Sequence, residues 1–178
     1  MTRKARWFLI LALATGTSIA ATTPARAPEV DPPATAAAAN TLDELFNALG
    51  VPFTNSGDNW YKAVWTDDNG RSVNMLFNAR SLGTLGDGST LTSVIMYVSV
   101  TSVPAGFTPS PALLKKITDI NTDLAMGSVV YVEEAKGFFY QSAFWLNDAT
   151  TKTLNYQMLF GSFIVPQIEQ ALRPFIQG

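Results

Sequence analysis

The chain has 178 residues, 47% of them hydrophobic, with 12 basic and 14 acidic side chains and neither histidine nor cysteine. Without imidazole it lacks the usual general base and the commonest metal ligand, and without thiols it can form no cysteine nucleophile, no disulfide and no soft-metal site. The slight acidic balance supplies no phosphate-neutralising surface, so nucleic acid is not an expected partner.

The N-terminal segment reads as an export signal. Arg3, Lys4 and Arg6 form a basic start, followed by the unbroken apolar run Trp7 to Ala14 and the small polar residues Thr15 to Ser18. Ser18-Ile19-Ala20 places small residues three before and one before a cut after Ala20, the signal-peptidase pattern. A second match, Ala25-Arg26-Ala27, is followed directly by Pro28. The apolar run is well short of the roughly 20 residues of a spanning helix, so a membrane anchor is not expected. Cleavage after Ala20 leaves nine basic residues against 14 acidic ones, a net charge of −5. Residues 21–39 read as a disordered tether. They hold Pro24, Pro28, Pro32, Pro33 and the alanine run Ala36 to Ala39, and offer only Val30 as a large aliphatic side chain.

A folded domain is expected over residues 40–178. Thr41 can cap a short helix, with Glu44 as its capping-box partner and Leu42, Leu45, Phe46 and Leu49 on one face. Gly50-Val51-Pro52 stops it. Asn59 to Thr66 is an aromatic-rich strand, Asp67-Asp68-Asn69-Gly70 a hairpin turn, and Arg71 to Arg80 the return strand with Val73, Met75, Phe77 and Ala79 on one face. Ser81 to Ser89 reads as a mobile Gly-rich connector. A third strand runs from Leu91 to about Val103. Ser110 then caps a helix with Pro111 at its first position, and Leu113, Ile117, Ile120 and Leu124 form one face. Ser128 to Glu134 and Phe138 to Leu146 are strands around the turn Ala135-Lys136-Gly137. A final helix runs from about Asp148 to Ile176 on the period Leu154, Met158, Val165, Ile168, Leu172 and Phe175. Pro166 predicts a kink or break between Gly161 and itself. The class is therefore α+β, a mainly antiparallel five-stranded sheet with helices packed on it in the order α-βββ-α-ββ-α.

No motif names a reaction or a cofactor. Asp67 to Gly70 lacks the alternating ligands and terminal Glu of a calcium loop, and reads as a turn. Gly83 to Gly88 lacks the lysine of a phosphate loop. Glu133 and Glu134 are consecutive in a strand and so point to opposite faces, and Asp119 and Asp123 lie on a polar helix side.

The strands carry a stronger signal. A sheet covered on one side should alternate apolar and polar residues. Here Tyr61 and Trp65 oppose Trp60 and Val64, Val94 and Met96 oppose Ile95 and Tyr97, and Phe138, Tyr140, Phe144 and Leu146 oppose Phe139 and Trp145. Trp60, Val64, Ile95, Tyr97, Phe139 and Trp145 are therefore candidate partner-binding residues. The alternative is that the Thr41–Leu49 helix lies over them.

The segment Leu114 to Val132, a helix ending in the pair Ile120-Asn121 followed by a strand and hairpin, resembles the YbjN-like family of bacterial sensory transduction regulators. The likeness in element order spans about Thr41 to Ile176. That family's fold is similar to that of type III secretion chaperones. This chain departs from the family in its turn Ala135-Lys136-Gly137, where the family usually carries an acidic one, and in Pro166 within the last helix. The resemblance implies a binding or regulatory module without catalytic residues, and a partner that is a protein, a peptide or a second copy of the chain.

The expectation from sequence is a periplasmic or secreted, non-enzymatic binding module with no cofactor and no metal. The rival readings are a cell-envelope hydrolase using carboxylates or a Ser-Lys pair, disfavoured by the missing histidine and cysteine, and a purely structural envelope component.

Overall fold

Thr41 opens the folded part through reciprocal capping. Its hydroxyl accepts from the Glu44 N–H at 3.2 Å, and the Glu44 carboxylate accepts from the Thr41 N–H at 3.0 Å. The protein is seen here as a computed structural model that describes residues 41–67 and 70–176. The expected signal peptide and tether, and Asp68 and Asn69 of the first predicted turn, lie outside the described residues. Helix α1 runs Leu42–Leu49 and ends on Gly50, whose φ of 66° is the left-handed C-cap conformation that glycine adopts without a Cβ penalty.

Six strands follow: β1 (Phe53–Gly57), β2 (Trp60–Thr66), β3 (Ser72–Thr84), β4 (Thr90–Ser102), β5 (Ser128–Val132) and β6 (Gly137–Trp145). Helix α2 spans Pro111–Asp123 between β4 and β5, and α3 spans Thr151–Ile176. The strands form one antiparallel sheet in the order β1-β2-β3-β4-β6-β5. The α+β class and antiparallel sheet agree with the sequence; the strand count does not. β1 reads as polar (Thr54, Asn55, Ser56, Gly57) because it is an edge strand, exposed over all but its first residue. It pairs with β2 through a two-residue turn in which Asp58 and Asn59 both take positive φ, the geometry that matches hairpin twist.

Three further expectations are corrected. Residues Ser81 to Thr84 are not a mobile connector. They extend β3 and pair with β4 across a bulge at Ser81/Gly83, leaving only a tight turn closed by Leu85 N–H to Ser89 C=O at 2.7 Å. Glu133 and Glu134 lie in the β5–β6 turn rather than in a strand. The last helix does not break at Pro166 either. Proline cannot donate to the Ser162 carbonyl four residues back, and the Arg71 guanidinium supplies the missing donor through Nη2.

The helices lie on one sheet face. Phe46 of α1 meets Phe53 and Phe77 at centroid distances of 5.0 and 5.1 Å, and Tyr61 at 6.1 Å. α3 crosses β4 and β6 between α1 and α2, with Leu154, Met158, Val165, Ile168 and Leu172 buried. The crossing is close at Gly161: a Cβ there would lie 2.9 Å from Met96 Cε and 3.2 Å from Val98 Cγ2, so the Met96 side chain would have to move. Ala63, Met75, Val98, Tyr140 and Val129 form one cross-strand row of this core. Within it, Ser142 Oγ donates to Gln157 Oε1 at 2.6 Å, joining β6 to α3.

The chain also closes its edges with side-chain amides. Asn121 of α2 accepts from the Val129 N–H at 2.7 Å and donates to the Val129 carbonyl at 3.1 Å, acting as a neighbour for edge strand β5. Asn147, just past β6, continues the β6 side of the interior strand β4 beyond the end of β6, accepting from Thr92 N–H at 2.9 Å and donating to the Thr90 carbonyl at 2.7 Å.

Candidate functional site

Strand register decides which side chains share the face turned away from the helices. Trp60, Asn78, Ile95 and Ala143 form one row across β2, β3, β4 and β6; Lys62, Leu76, Tyr97 and Gln141 form the next. Val64 sits beside Asn74, Phe139 between Ser99 and Val130, and Trp145 beside Ser93. All six predicted residues therefore lie on one face. The first helix does not cover them: α1 packs through Phe46 on the opposite side, against Phe53 and Phe77. Trp60 and Trp145 are exposed, while Val64, Ile95, Tyr97 and Phe139 are half-buried by their neighbours.

The six do not form one cluster. Trp60, Tyr97 and Phe139 line a shallow depression of about 190 Å³ that runs diagonally across the strands, completed by Leu76, Val132 and Ala135. The Trp60 and Tyr97 rings lie 5.9 Å apart at 32°, a tilted pair that fixes one wall. Ile95 lies in the row next to Tyr97. Val64 and Trp145 stand at diagonally opposite corners of the face, outside the depression. Leu76 and Val132 were not anticipated. Leu76 interrupts the polar parity Asn74, Asn78 and Arg80 of β3, and that interruption is the signal that could have found it.

The surroundings are polar, and the exposed Glu133 and Glu134 lie in the turn between Val132 and Ala135 at one end of the depression. Lys62 and Arg80 supply the charge on this face of the described strands, and its other polar groups are hydroxyls and amides. Arg80 Nε donates to Asn78 Oδ1 at 2.5 Å, and Asn78 Nδ2 to the Asn59 carbonyl at 3.5 Å, so the upper rim is held by its own hydrogen bonds. The face can offer aromatic platforms, an apolar trough and two cations.

Carboxylates elsewhere are engaged on the surface: Asp119 with Lys115 at 2.9 Å, Glu169 with Arg173 at 3.2 Å and Asp67 with Arg71 at 3.4 Å. Among the described residues no three metal-ligating side chains come together, and no helix is long and apolar enough to cross a membrane. Compared with family models and with curated proteins, the chain matches none.

Proposed function

We propose that this protein is an exported, non-enzymatic binding module whose open sheet face recognises a protein or peptide. One observation carries the reading: residues picked out by their parity in three separate strands lie on the same uncovered face, and three of them line one apolar trough. Buried aromatic anchors in such troughs supply most of the binding energy of an interface. The charge of the face narrows the occupant. It bears Lys62 and Arg80 on its strands and Glu133 and Glu134 in the turn at the β5–β6 end, so a segment with one or two apolar anchors, a carboxylate towards β2 and β3 and a cation towards that turn is complementary to it.

Export is supported by the basic and apolar start of the chain, Arg3 to Ala14, with its small-residue cut site, and places the module in the periplasm or outside the cell. The resemblance of Leu114 to Val132 to the YbjN-like family agrees with a binding or regulatory role. The test is paired capture from envelope extract by the wild type and by Tyr97→Ala. A polypeptide retained in stoichiometric amount by the first and lost by the second, with circular dichroism unchanged, supports the site. Equal capture by both removes it. Intact-mass analysis of protein from the native host is expected to give an N-terminus near Ala21 or Thr22, and an uncleaved chain would refute export.

A further inference from the structure

Helix α3 has a second apolar face. Its inner side packs on the sheet, yet Tyr156, Leu159 and Phe163, directly opposite, are 54%, 47% and 64% exposed. A surface helix ordinarily turns a polar stripe outward; one that is apolar all round belongs in an interior. Leu159 and Phe163 form a ridge with a groove on each side. One groove, of about 560 Å³, is completed by Met126, Tyr156 and Phe160. The other, of about 450 Å³, is completed by Trp65, Asp67, Arg71, Ser162 and Pro166.

We propose that this ridge is the contact between two copies of the chain, packed as antiparallel α3 helices about a two-fold axis near residue 161. The exposed apolar area carries the argument, and the spacing of the stripe sets the register. Leu159 and Phe163 lie two residues either side of 161, Tyr156 and Pro166 five, and Lys152 and Gln170 nine. In a two-fold contact a residue that meets a second one across the axis is met by it in turn, so residues equidistant from 161 are brought together. Here Leu159 of each copy meets Phe163 of the other, Tyr156 meets Pro166, and each ridge enters the other's groove. Charge does not oppose it: Lys152, which lies over the Tyr156 ring at 5.6 Å, arrives beside the neutral Gln170 of the second copy. The size is adequate for a weak dimer. Large apolar side chains present roughly 150–250 Å² each, so these three at about half exposure give roughly 300 Å² per copy. With Lys152, Pro166, Gln167 and Gln170 the contact reaches on the order of 600 Å², the lower end of specific interfaces. A contact of this size belongs with weak, transient associations, which are sought at micromolar concentrations. The contact uses the opposite side of the molecule from the sheet trough and does not depend on that reading.

Sedimentation velocity of the whole protein across a micromolar dilution series tests this. The expected result is a rise from the mass of one chain to that of two, abolished by Phe163→Glu with the circular dichroism and melting curve unchanged. Because the chain has no cysteine of its own, register can be read directly. Mixed Leu159→Cys and Phe163→Cys proteins should cross-link on oxidation several-fold faster than Tyr156→Cys with Phe163→Cys. Three results overturn the proposal: a single-chain mass at every concentration, a dimer that survives Phe163→Glu and is lost on Trp60→Ala, or Phe163-dependent binding to phosphatidylcholine vesicles by a monomer.

Discussion

Asn121→Ala tests whether a side chain can stand in for a missing strand. Asn121 gives edge strand β5 one acceptor at 2.7 Å and one donor at 3.1 Å, both spent on the backbone of Val129, a residue 2% exposed. Alanine removes both at once, and no neighbouring strand lies beyond β5 to replace them. An intramolecular hydrogen bond contributes about 1 kcal/mol net, and a buried polar group left without a partner costs about 1–3 kcal/mol. Asn121 is itself only half-buried, so water relieves part of this, and the expected loss is about 2–4 kcal/mol. That is a large share of the roughly 5–15 kcal/mol that holds a domain together. Urea unfolding followed by fluorescence of Trp60, Trp65 and Trp145 measures it. Asn121→Asp sharpens the test. Its ionised carboxylate keeps the bond from the Val129 N–H but turns an oxygen lone pair on the Val129 carbonyl; protonated, it regains the lost donor. The folded state therefore binds that proton more tightly than the unfolded state does. The stabilisation is fully present below the ordinary Asp range near 4 and is lost as pH rises through the folded-state value. A loss below about 0.5 kcal/mol for alanine, or no recovery of the Asp variant in acid, would refute the strand-surrogate argument.

Burial holds the Tyr140 hydroxyl above its ordinary range, with a hydrogen bond involving Ser142 acting the other way. The folded state thus keeps this proton longer than the unfolded one, and stability should fall as pH rises above about 10; Tyr140→Phe, read by alkaline denaturation, should flatten that fall. Arg71→Leu strips the donor from the Ser162 carbonyl that Pro166 cannot serve, and should cost about 1–3 kcal/mol in urea unfolding; a neutral result would mean that water serves the carbonyl equally well. Leu113 is fully buried whereas Ile117 is half-buried. Leu113→Ala should therefore cost about 2–5 kcal/mol, and equal losses for Ile117→Ala would show that α2 is seated on a different face.

Parity within a strand is a local property, and it was legible. Trp60, Ile95, Tyr97 and Phe139 could be assigned to one side of their own strands from alternation alone. Register is not local. That Trp60, Tyr97 and Phe139 line one trough depends on β6 inserting beside β4, a pairing between segments some forty residues apart that no turn signal announces. β1 escaped because an exposed edge strand has no apolar alternation to show. The outer stripe of α3 escaped for a different reason. Tyr156, Leu159 and Phe163 follow the same helical period as Leu154, Met158 and Val165, half a turn out of phase, and a search for one apolar face stops at the first. The passage of α3 through Pro166 draws on Arg71, which lies ninety-one positions before the Ser162 carbonyl it serves.

The order of strands also has a consequence in time. β1 to β4 are consecutive and join through short turns, so each can pair as soon as its predecessor exists. The second neighbour of β4 is β6, made only after α2 and β5. Closing that long loop is the slow, entropically unfavourable event in assembling such a sheet. Until Gly137 to Trp145 exist, β4 presents a bare edge whose two sides carry Val94, Met96 and Val98 on one and Ile95 and Tyr97 on the other. Such an edge is a template for other chains. Fragments ending between Ser102 and Phe138 should accordingly aggregate, while a chain carried through Trp145 closes its own seam. The hazard belongs to the interval of synthesis between those two strands and ends when β6 arrives.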